Sequence, residues 1–374
     1  MADGSAPGYR RAIGLMSGTS LDGIDIALVE TDGASSVRRG AAATVAYPAE
    51  FRVKLVQAIQ DAKSLATRTE RPGSLAAVER ELTERHAEVV TRFMGQYALQ
   101  PSAIDVIGFH GQTVLHRPAD QLTVQLGDGA LLANLTGIDV VHDLRAADCA
   151  AGGEGAPLVP VYHRALVGKL PQRPVAVVNI GGVANVTYIG SDGGLIAFDT
   201  GPGNALIDDW MLKHAGQSHD HDGATAARGQ VKGDMARFYL SHSYFGQLPP
   251  KSLDRNAFFA DLVEGLSLED GAATLTAFTA LSLARAREHF PQEPQLWIIC
   301  GGGRRNKTIM SALAAEVQNA VVPAEAVGLD GDAIEAEAWG YLAVRSLMKL
   351  PISFPGTTGV AKPMTGGVLA RAKG

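Results

Sequence analysis

Residues 14–25 read Gly14-Leu15-Met16-Ser17-Gly18-Thr19-Ser20-Leu21-Asp22-Gly23-Ile24-Asp25. An apolar run (Ala12, Ile13, Leu15) leads in, and a second, Ile24 to Val29, leads out toward Thr31-Asp32-Gly33. Two apolar runs around a short polar, glycine-bearing tip predict a β-hairpin. Glycines let a backbone approach a ligand, and amides and hydroxyls at such a tip suit phosphate oxygens. An ordinary polar hairpin turn fits the same pattern.

The theme is stated again half a chain later. Val175-Ala176-Val177-Val178-Asn179-Ile180 runs into Gly181-Gly182, then Val183–Ile189, then Asp192-Gly193-Gly194. A third strand, Leu195 to Phe198, delivers Asp199. Two such meanders predict two lobes of related topology. After each, helical spacing alternates with short apolar strands, which predicts an α/β fold with helices on both sheet faces. Helices are expected at 74–97, 204–214, 235–242, 256–265, 272–289 and 334–349, with strands at 104–109, 123–126, 138–141 and 296–300. The Gly152-Gly153-Glu154-Gly155 run sets the expected boundary. An N-terminal lobe of 1–155 and a C-terminal lobe of 156–350 follow, with a helix over 156–170 bridging them. Residues 1–8 read as a frayed tail, and the Gly/Pro-rich 351–374 as a C-terminal tail without a clear place.

A chain of 374 residues exceeds one ordinary core, which agrees with two lobes. The net charge of −6 argues against a nucleic-acid partner and against attraction to anionic lipid. Two cysteines, Cys149 and Cys300, make neither a disulfide framework nor a zinc site, and fit a reducing, cytoplasmic setting. No run approaches the roughly 18 apolar residues of a membrane span.

Four further segments carry candidate chemistry. In Ala197-Phe198-Asp199-Thr200-Gly201-Pro202-Gly203-Asn204 a strand delivers a carboxylate to a Gly-Pro-Gly turn before a helix. Asp199 there is either a functional acid beside a helix N-terminus or a turn cap, with Asn204 as N-cap. Ile299-Cys300-Gly301-Gly302-Gly303-Arg304-Arg305-Asn306 is a strand–glycine–helix junction, by itself a common pattern. Phe109-His110-Gly111-Gln112-Thr113 reads as a turn after a strand, and His142-Asp143-Leu144-Arg145 as a strand end carrying a guanidinium. His214, His219, Asp220, His221 and Asp222 crowd together, without the spacing of a zinc motif.

Met16 to Asp25 closely resembles the opening signature of the anhydro-N-acetylmuramic acid kinases, sugar kinases of the actin, hexokinase and Hsp70 superfamily. Ala197–Asn204 matches that family's second signature, and further likenesses run over most of the chain. The resemblance implies two lobes of duplicated actin-like (RNase H-like) topology with an interlobe cleft. It implies nucleotide contacts from Ser17, Gly18, Thr19, Ser20, Asp22 and Gly23 on the first hairpin, and Asn179, Gly181 and Gly182 on the second. Gly301, Gly302, Gly303 and Asn306 join them as an adenosine motif, although Arg304 and Arg305 depart from the family's smaller residues. Sugar contacts fall to His110, Gln112, Thr113, Arg145, Gly201, Asn204 and Glu335, the last at the head of helix 334–349. An arginine fork such as Arg145 suits a lactyl carboxylate. Glu337 reads as a solvated helix residue. Asp199 is the family's catalytic base.

The implied reaction is ATP-dependent opening of 1,6-anhydro-N-acetylmuramic acid to N-acetylmuramic acid 6-phosphate and ADP, with Mg²⁺, in cell-wall recycling. Which residues hold Mg²⁺ stays open, and so does oligomeric state, a homodimer included. Another sugar kinase on the same fold, or an actin- or Hsp70-like nucleotide switch, are the alternatives.

Overall fold

The computed structural model describes residues 8–18 and 20–373. The tail expected at the N-terminus lies outside the described residues except for Gly8, as does Thr19. The chain divides into two compact units, one running to Gly168 and resuming at Ala333, the other Lys169–Asp332.

In the first unit β1 (Arg10–Ser17), β2 (Gly23–Thr31) and β3 (Val37–Ala46) form an antiparallel meander. The strand β4 (Val106–Arg117) lies parallel to β1, and β5 (Leu122–Leu126) folds back antiparallel on its far half. Parallel to β4 comes β6 (Val140–His142). In the second unit β7 (Val175–Ile180), β8 (Val183–Ile189) and β9 (Leu195–Pro202) repeat the meander. There β10 (Leu296–Cys300) is parallel to β7 and β11 (Ala320–Pro323) parallel to β10. The orders β3-β2-β1-β4-β6 and β9-β8-β7-β10-β11 are the same, with the same directions. The duplication that the sequence shows only as a pattern is therefore a duplication of topology.

Alternation along the strands decides what each face meets. Ile13 and Leu15 of β1 and Ile107 and Phe109 of β4 enter a core with Phe51, Leu55 and Leu82 from the helices Ala49–Ala62 and Leu75–Gln96. Gly14 and Gly108, in opposite phase, lie under the helix Ile334–Leu347. A Cβ at Gly14 would stand 1.8 Å from the Ala336 carbonyl oxygen, and one at Gly108 2.0 Å from that of Trp339. Only glycine lets the helix lie that close. In the second unit Val178, Ile180, Trp297 and Ile299 pack with Phe278 and Leu283 of the helix Leu268–Arg285.

The unit boundaries differ from those expected at 155/156 and 350/351. The helix expected over 156–170 is Pro160–Val167 and stays with the first unit, where the Tyr162 hydroxyl donates to Glu337 Oε2 at 2.8 Å. Residues 351–374 also join it: they carry a short helix, Pro355–Thr358, and a strand, Val368–Ala370, antiparallel to β6. The helix expected over 256–265 is instead two 3₁₀ turns, Arg255–Ala257 and Asp261–Val263. Phe258 between them is drawn into an aromatic cluster with Tyr244, Phe245 and Phe278, so tertiary packing overrides helical propensity. Finally, β4 does not end at Phe109. It continues through His110–Thr113, bent at Gly111 (φ +71°), where a Cβ would meet the Leu126 carbonyl oxygen at 2.3 Å.

Candidate active site

The first hairpin is a polar loop between β1 and β2. Ser17, in phase with Ile13 and Leu15, is buried, and its Oγ lies 2.6 Å from the Tyr47 hydroxyl and 3.0 Å from His86 Nε2. His86 Nδ1 lies 2.8 Å from the Leu82 carbonyl oxygen, so that nitrogen carries the proton. Nε2 must then accept from Ser17, whose oxygen accepts in turn from Tyr47. Burial holds His86 down at about 4, so it stays neutral. Ser17 thus anchors the loop from below and offers no hydroxyl to a ligand. Above it, Ser20 donates to Asp22 Oδ1 at 2.8 Å, and Gln112 Nε2 donates to the Gly18 carbonyl oxygen at 3.1 Å. A Cβ on Gly18 would meet nothing nearer than 3.5 Å, whereas one on Gly23 would meet the Val45 carbonyl oxygen at 2.5 Å. Gly18 leaves open space, and Gly23 serves the β2–β3 pairing.

A second cluster of the same unit gathers His110, Arg145, Trp339 and Glu335. Arg145 Nε donates to His110 Nε2 at 3.0 Å and its Nη1 to the Gly155 carbonyl oxygen at 2.8 Å. His110 Nδ1 lies 2.6 Å from the Gly111 carbonyl oxygen, which fixes the neutral Nδ1–H tautomer. Burial and the Arg145 charge keep its pKa well below the ordinary value. Trp339 backs both: its ring lies 4.4 Å from that of His110, and the Arg145 guanidinium sits 4.9 Å from its centroid. The Glu335 carboxyl is raised by burial and by Asp25, and lowered by Arg145, which places these three charges together. The same unit holds a cavity of about 390 Å³ whose walls include His110, Gln125, His142 and Arg68. Thr113 takes a hydrogen bond from Gln125 Nε2 at 3.2 Å, while Gln112 is fully buried with its Oε1 unpartnered.

In the second unit three predicted segments converge. The carbonyls of Gly181 and Gly182 accept from the Asn204 N–H at 2.7 Å and the Gly203 N–H at 2.8 Å. Asn204 Nδ2 donates to the Ile180 carbonyl oxygen at 3.1 Å, so its side chain ties the hairpin down and does not cap the helix Ala205–Ala215. The glycine triplet crosses the base of this hairpin. A Cβ on Gly301 (φ +71°) would lie 2.1 Å from Asn179 Oδ1, and one on Gly303 2.3 Å from Ile180 Cγ2. Gly302 meets only Asn204 Nδ2, at 3.8 Å. Gly201 packs against Ser282, 2.8 Å from its would-be Cβ. At Gly181 and Gly182 a Cβ would meet nothing nearer than 3.5 and 3.9 Å. Here the missing side chain leaves room for a ligand and relieves no clash.

Asp199 sits on β9 with its backbone N–H donating to the Lys251 carbonyl oxygen at 3.1 Å. Oδ2 accepts from the Leu253 N–H at 2.8 Å, and the Tyr244 hydroxyl donates to its carbonyl oxygen. Burial pushes the carboxyl up to about 7, against the lowering effect of the Leu253 N–H. A carboxyl poised there accepts a proton near neutral pH.

The family model for anhydro-N-acetylmuramic acid kinase matches residues 10–372. The chain belongs to the anhydro-N-acetylmuramic acid kinase family. It is 52% identical over 364 residues to the anhydro-N-acetylmuramic acid kinase of Rhizobium etli, covering 96% of this chain and 98% of that one. To the Brucella canis protein of the same name it is 51% identical over 371 residues, covering 98% and 100%. Among solved structures it is similar to the activator of the 2-hydroxyisocaproyl-CoA dehydratase from Clostridium difficile, at TM-score 0.44 and 13% identity over 91% of this chain and 97% of that chain. That likeness is too distant to inform the site.

Within this anhydro-N-acetylmuramic acid kinase family member, Asn306, assigned by resemblance, and Arg304, which departs from the family, both have structural tasks. Asn306 Oδ1 accepts from the N–H groups of Thr308 at 3.1 Å and Ile309 at 3.0 Å, capping the helix Lys307–Val317. Arg304 is buried and binds Asp332, Glu325 and the Gly301 carbonyl oxygen, so its guanidinium ties the glycine triplet down. Glu337, expected to be solvated, is buried, accepting from Tyr162 and from Arg39 Nε at 2.8 Å. The crowded Asp220 is an internal anchor whose oxygens accept from Thr225 and Ala226 N–H groups. Sequence reasoning missed Trp339, although its spacing of four from Glu335 puts both on one helix face. It set Pro249–Ser252 near the site by resemblance but missed the next residue, Leu253, whose backbone N–H holds the Asp199 carboxylate.

Proposed function

We propose that this chain opens 1,6-anhydro-N-acetylmuramic acid with water while moving the terminal phosphoryl group of ATP onto O6. Water oxygen bonds to C1 as the C1–O6 bond breaks. O6 bonds to the γ-phosphorus as its bond to ADP breaks, and the water's proton passes to Asp199. An inverting glycosidase needs an acid for its leaving oxygen. Phosphoryl transfer caps that oxygen here, so a single base suffices. What carries the reading is Asp199: a buried carboxyl raised to about 7 within β9, whose following residues brace a glycine turn.

The open glycines Gly18, Gly181 and Gly182 suit the phosphates, and Gly302, the open member of the triplet that Gly301 and Gly303 pack against the hairpin, suits the nucleoside, whose flat faces need an approach free of side chains. His110, Arg145 and Glu335 supply sugar contacts, with the guanidinium directed to the lactyl carboxylate. Mg²⁺ would accompany the nucleotide and neutralise phosphate charge. Among the described residues no group of three or more His, Cys, Asp or Glu is gathered to cage an ion, in keeping with one held largely by phosphates and water. No described helix is long and apolar enough to cross a membrane, and we place the reaction in the cytoplasm, in recycling of cell-wall sugar.

The test is to incubate the protein with ATP, Mg²⁺ and the anhydro sugar in ¹⁸O-water and identify the product. Label at C1 and phosphate on O6 is the expected result. Asp199→Asn should keep ATP and sugar binding while losing turnover by about 10²–10⁴-fold. Near-wild-type turnover in that variant would remove the base assignment.

A further inference from the structure

The chain between Lys251 and Phe258 is held at both ends. At one end the Lys251 carbonyl and the Leu253 N–H clasp the backbone and carboxylate of Asp199. At the other, Phe258 is buried against Tyr244, Phe245 and Phe278. Arg255 rides between these anchors, opening the 3₁₀ turn Arg255–Ala257. Its Nη1 lies 4.0 Å from where a Cβ of Gly182 would stand, so the guanidinium overhangs the tip of the second hairpin. The fold itself asks little of that guanidinium. Its ion pair is to Asp209 at 3.3 Å, with the two side chains 57% and 61% exposed. A pair so open to water contributes little to stability. The backbone around Arg255 is therefore fixed while its head group is loosely held, beside open glycines.

We propose that Arg255 is a catalytic residue that binds the terminal phosphoryl group at Gly181–Gly182 and neutralises the charge it develops during transfer. This rests on the kinase reading above, which places phosphate at that turn. Arginine suits the task, since its planar fork matches phosphate oxygens and its charge is permanent. The same strap that hydrogen-bonds the base thus carries the phosphate's counter-charge, so Asp199 and Arg255 are set relative to one another through the short backbone from Leu253 to Arg255, with Asp254 alone between them.

Wild-type product formation is measured first, because its absence sinks the kinase reading and leaves Arg255 aside. With an active wild type, Arg255→Ala is expected to lower kcat by about 10²–10³-fold, the usual cost of one missing charge-stabilising donor. ATP affinity should fall while ADP affinity holds, since only ATP carries the group contacted. Added methylguanidine should restore part of the Arg255→Ala rate, and Arg255→Lys should fall between. Near-wild-type kcat in Arg255→Ala, equal loss of ATP and ADP affinity, or no rescue by methylguanidine would each overturn the proposal while leaving the kinase reading intact. A circular-dichroism melt matching wild type is expected as well, because the side chain is exposed; a collapsed melt would instead mark Arg255 as structural.

Discussion

The two glycine hairpins stand on sheets of the same strand order, yet the balance of side-chain and backbone bonds that holds them differs. The first adds side-chain tethers, Ser17 Oγ to Tyr47 and His86 and Gln112 to Gly18, to the backbone bonds of Leu21 and Tyr47 with the Gly18 and Asp22 carbonyls. The second is tethered mainly by backbone, the Gly181 and Gly182 carbonyls accepting from the N–H groups of Gly203, Asn204 and Ala205. The third strands differ too. Strand β3 carries Arg38, Arg39 and Thr44 but no carboxylate, whereas β9 delivers Asp199. A duplicated scaffold repeats positions, and chemistry is then added to one copy. Backbone tethers make the second turn a rigid platform that depends on glycine.

The largest effect should come from the acid that only one copy has. With the Asp199 carboxyl raised to about 7, its basic form grows as pH rises, so kcat/KM should climb through about pH 7 and then level. Asp199→Asn should flatten that limb as well as lower the rate. Asp22→Asn, which alters the carboxylate on the first hairpin, should keep the limb. The reverse outcome would exchange the roles of the two copies. Stability gives a second reading. A folded pKa above the ordinary aspartate value of 3.8 contributes stability that is fully present below that value and lost as pH rises through about 7. Melting of Asp199→Asn should therefore exceed wild type by an amount that grows from about pH 4 to 7 and is constant above.

Next in size are the glycines of the rigid platform. A Cβ on Gly203 would stand 2.2 Å from the Gly181 carbonyl oxygen, and one on Gly301 2.1 Å from Asn179 Oδ1. Gly203→Ala and Gly301→Ala should each cost about 1–3 kcal/mol, seen as lower urea midpoints, with more at Gly301 because of its positive φ. Gly182→Ala should melt like wild type while ATP affinity drops. A destabilised Gly182→Ala would show that this glycine serves the fold and not a ligand.

Much of this was legible in the chain itself. Apolar alternation on either side of Gly18 and of Gly181-Gly182 gave both meanders, and the glycine segments marked where backbone is bare. Ser17 was read as a nucleotide contact, yet its two-residue phase with Ile13 and Leu15 turns its side chain inward, onto Tyr47 and His86. His110-Gly111 misled because a His-Gly pair reads as a turn, while in β4 the glycine bends a strand that goes on pairing with β5. What could not be read were clasps between distant residues. Leu253 reaches Asp199 across 54 positions, and Arg39 reaches Glu337 across 298. No local pattern encodes such partners, since they exist only once the sheets have formed.

The side-chain tether of the first hairpin should break at a comparable cost in stability. Ser17→Ala leaves the Tyr47 hydroxyl and His86 Nε2 without their shared partner inside the core. A loss of about 1–3 kcal/mol is expected, together with a raised KM for ATP and an unchanged KM for the sugar. Equal rises in both would mean that the tether shapes the whole first unit and not the loop alone.

The smallest effect should fall on Asn306, where resemblance and geometry disagree. Its Oδ1 is occupied by the N–H groups of Thr308 and Ile309, and a Gly223 Cβ would come within 2.2 Å of that same oxygen. A side chain enclosed in this way is holding a helix end, not a nucleoside. Asn306→Ala should therefore cost about 1 kcal/mol of stability, the usual worth of an N-cap. Asn306→Asp or Asn306→Ser, which can still cap, should recover most of it. ATP affinity, followed by calorimetry well below the melting temperature, should stay at the wild-type value in all three variants. A drop in ATP affinity shared by all three, with melting unchanged, would return Asn306 to the nucleotide and make the second platform a binder by side chain as well as by backbone.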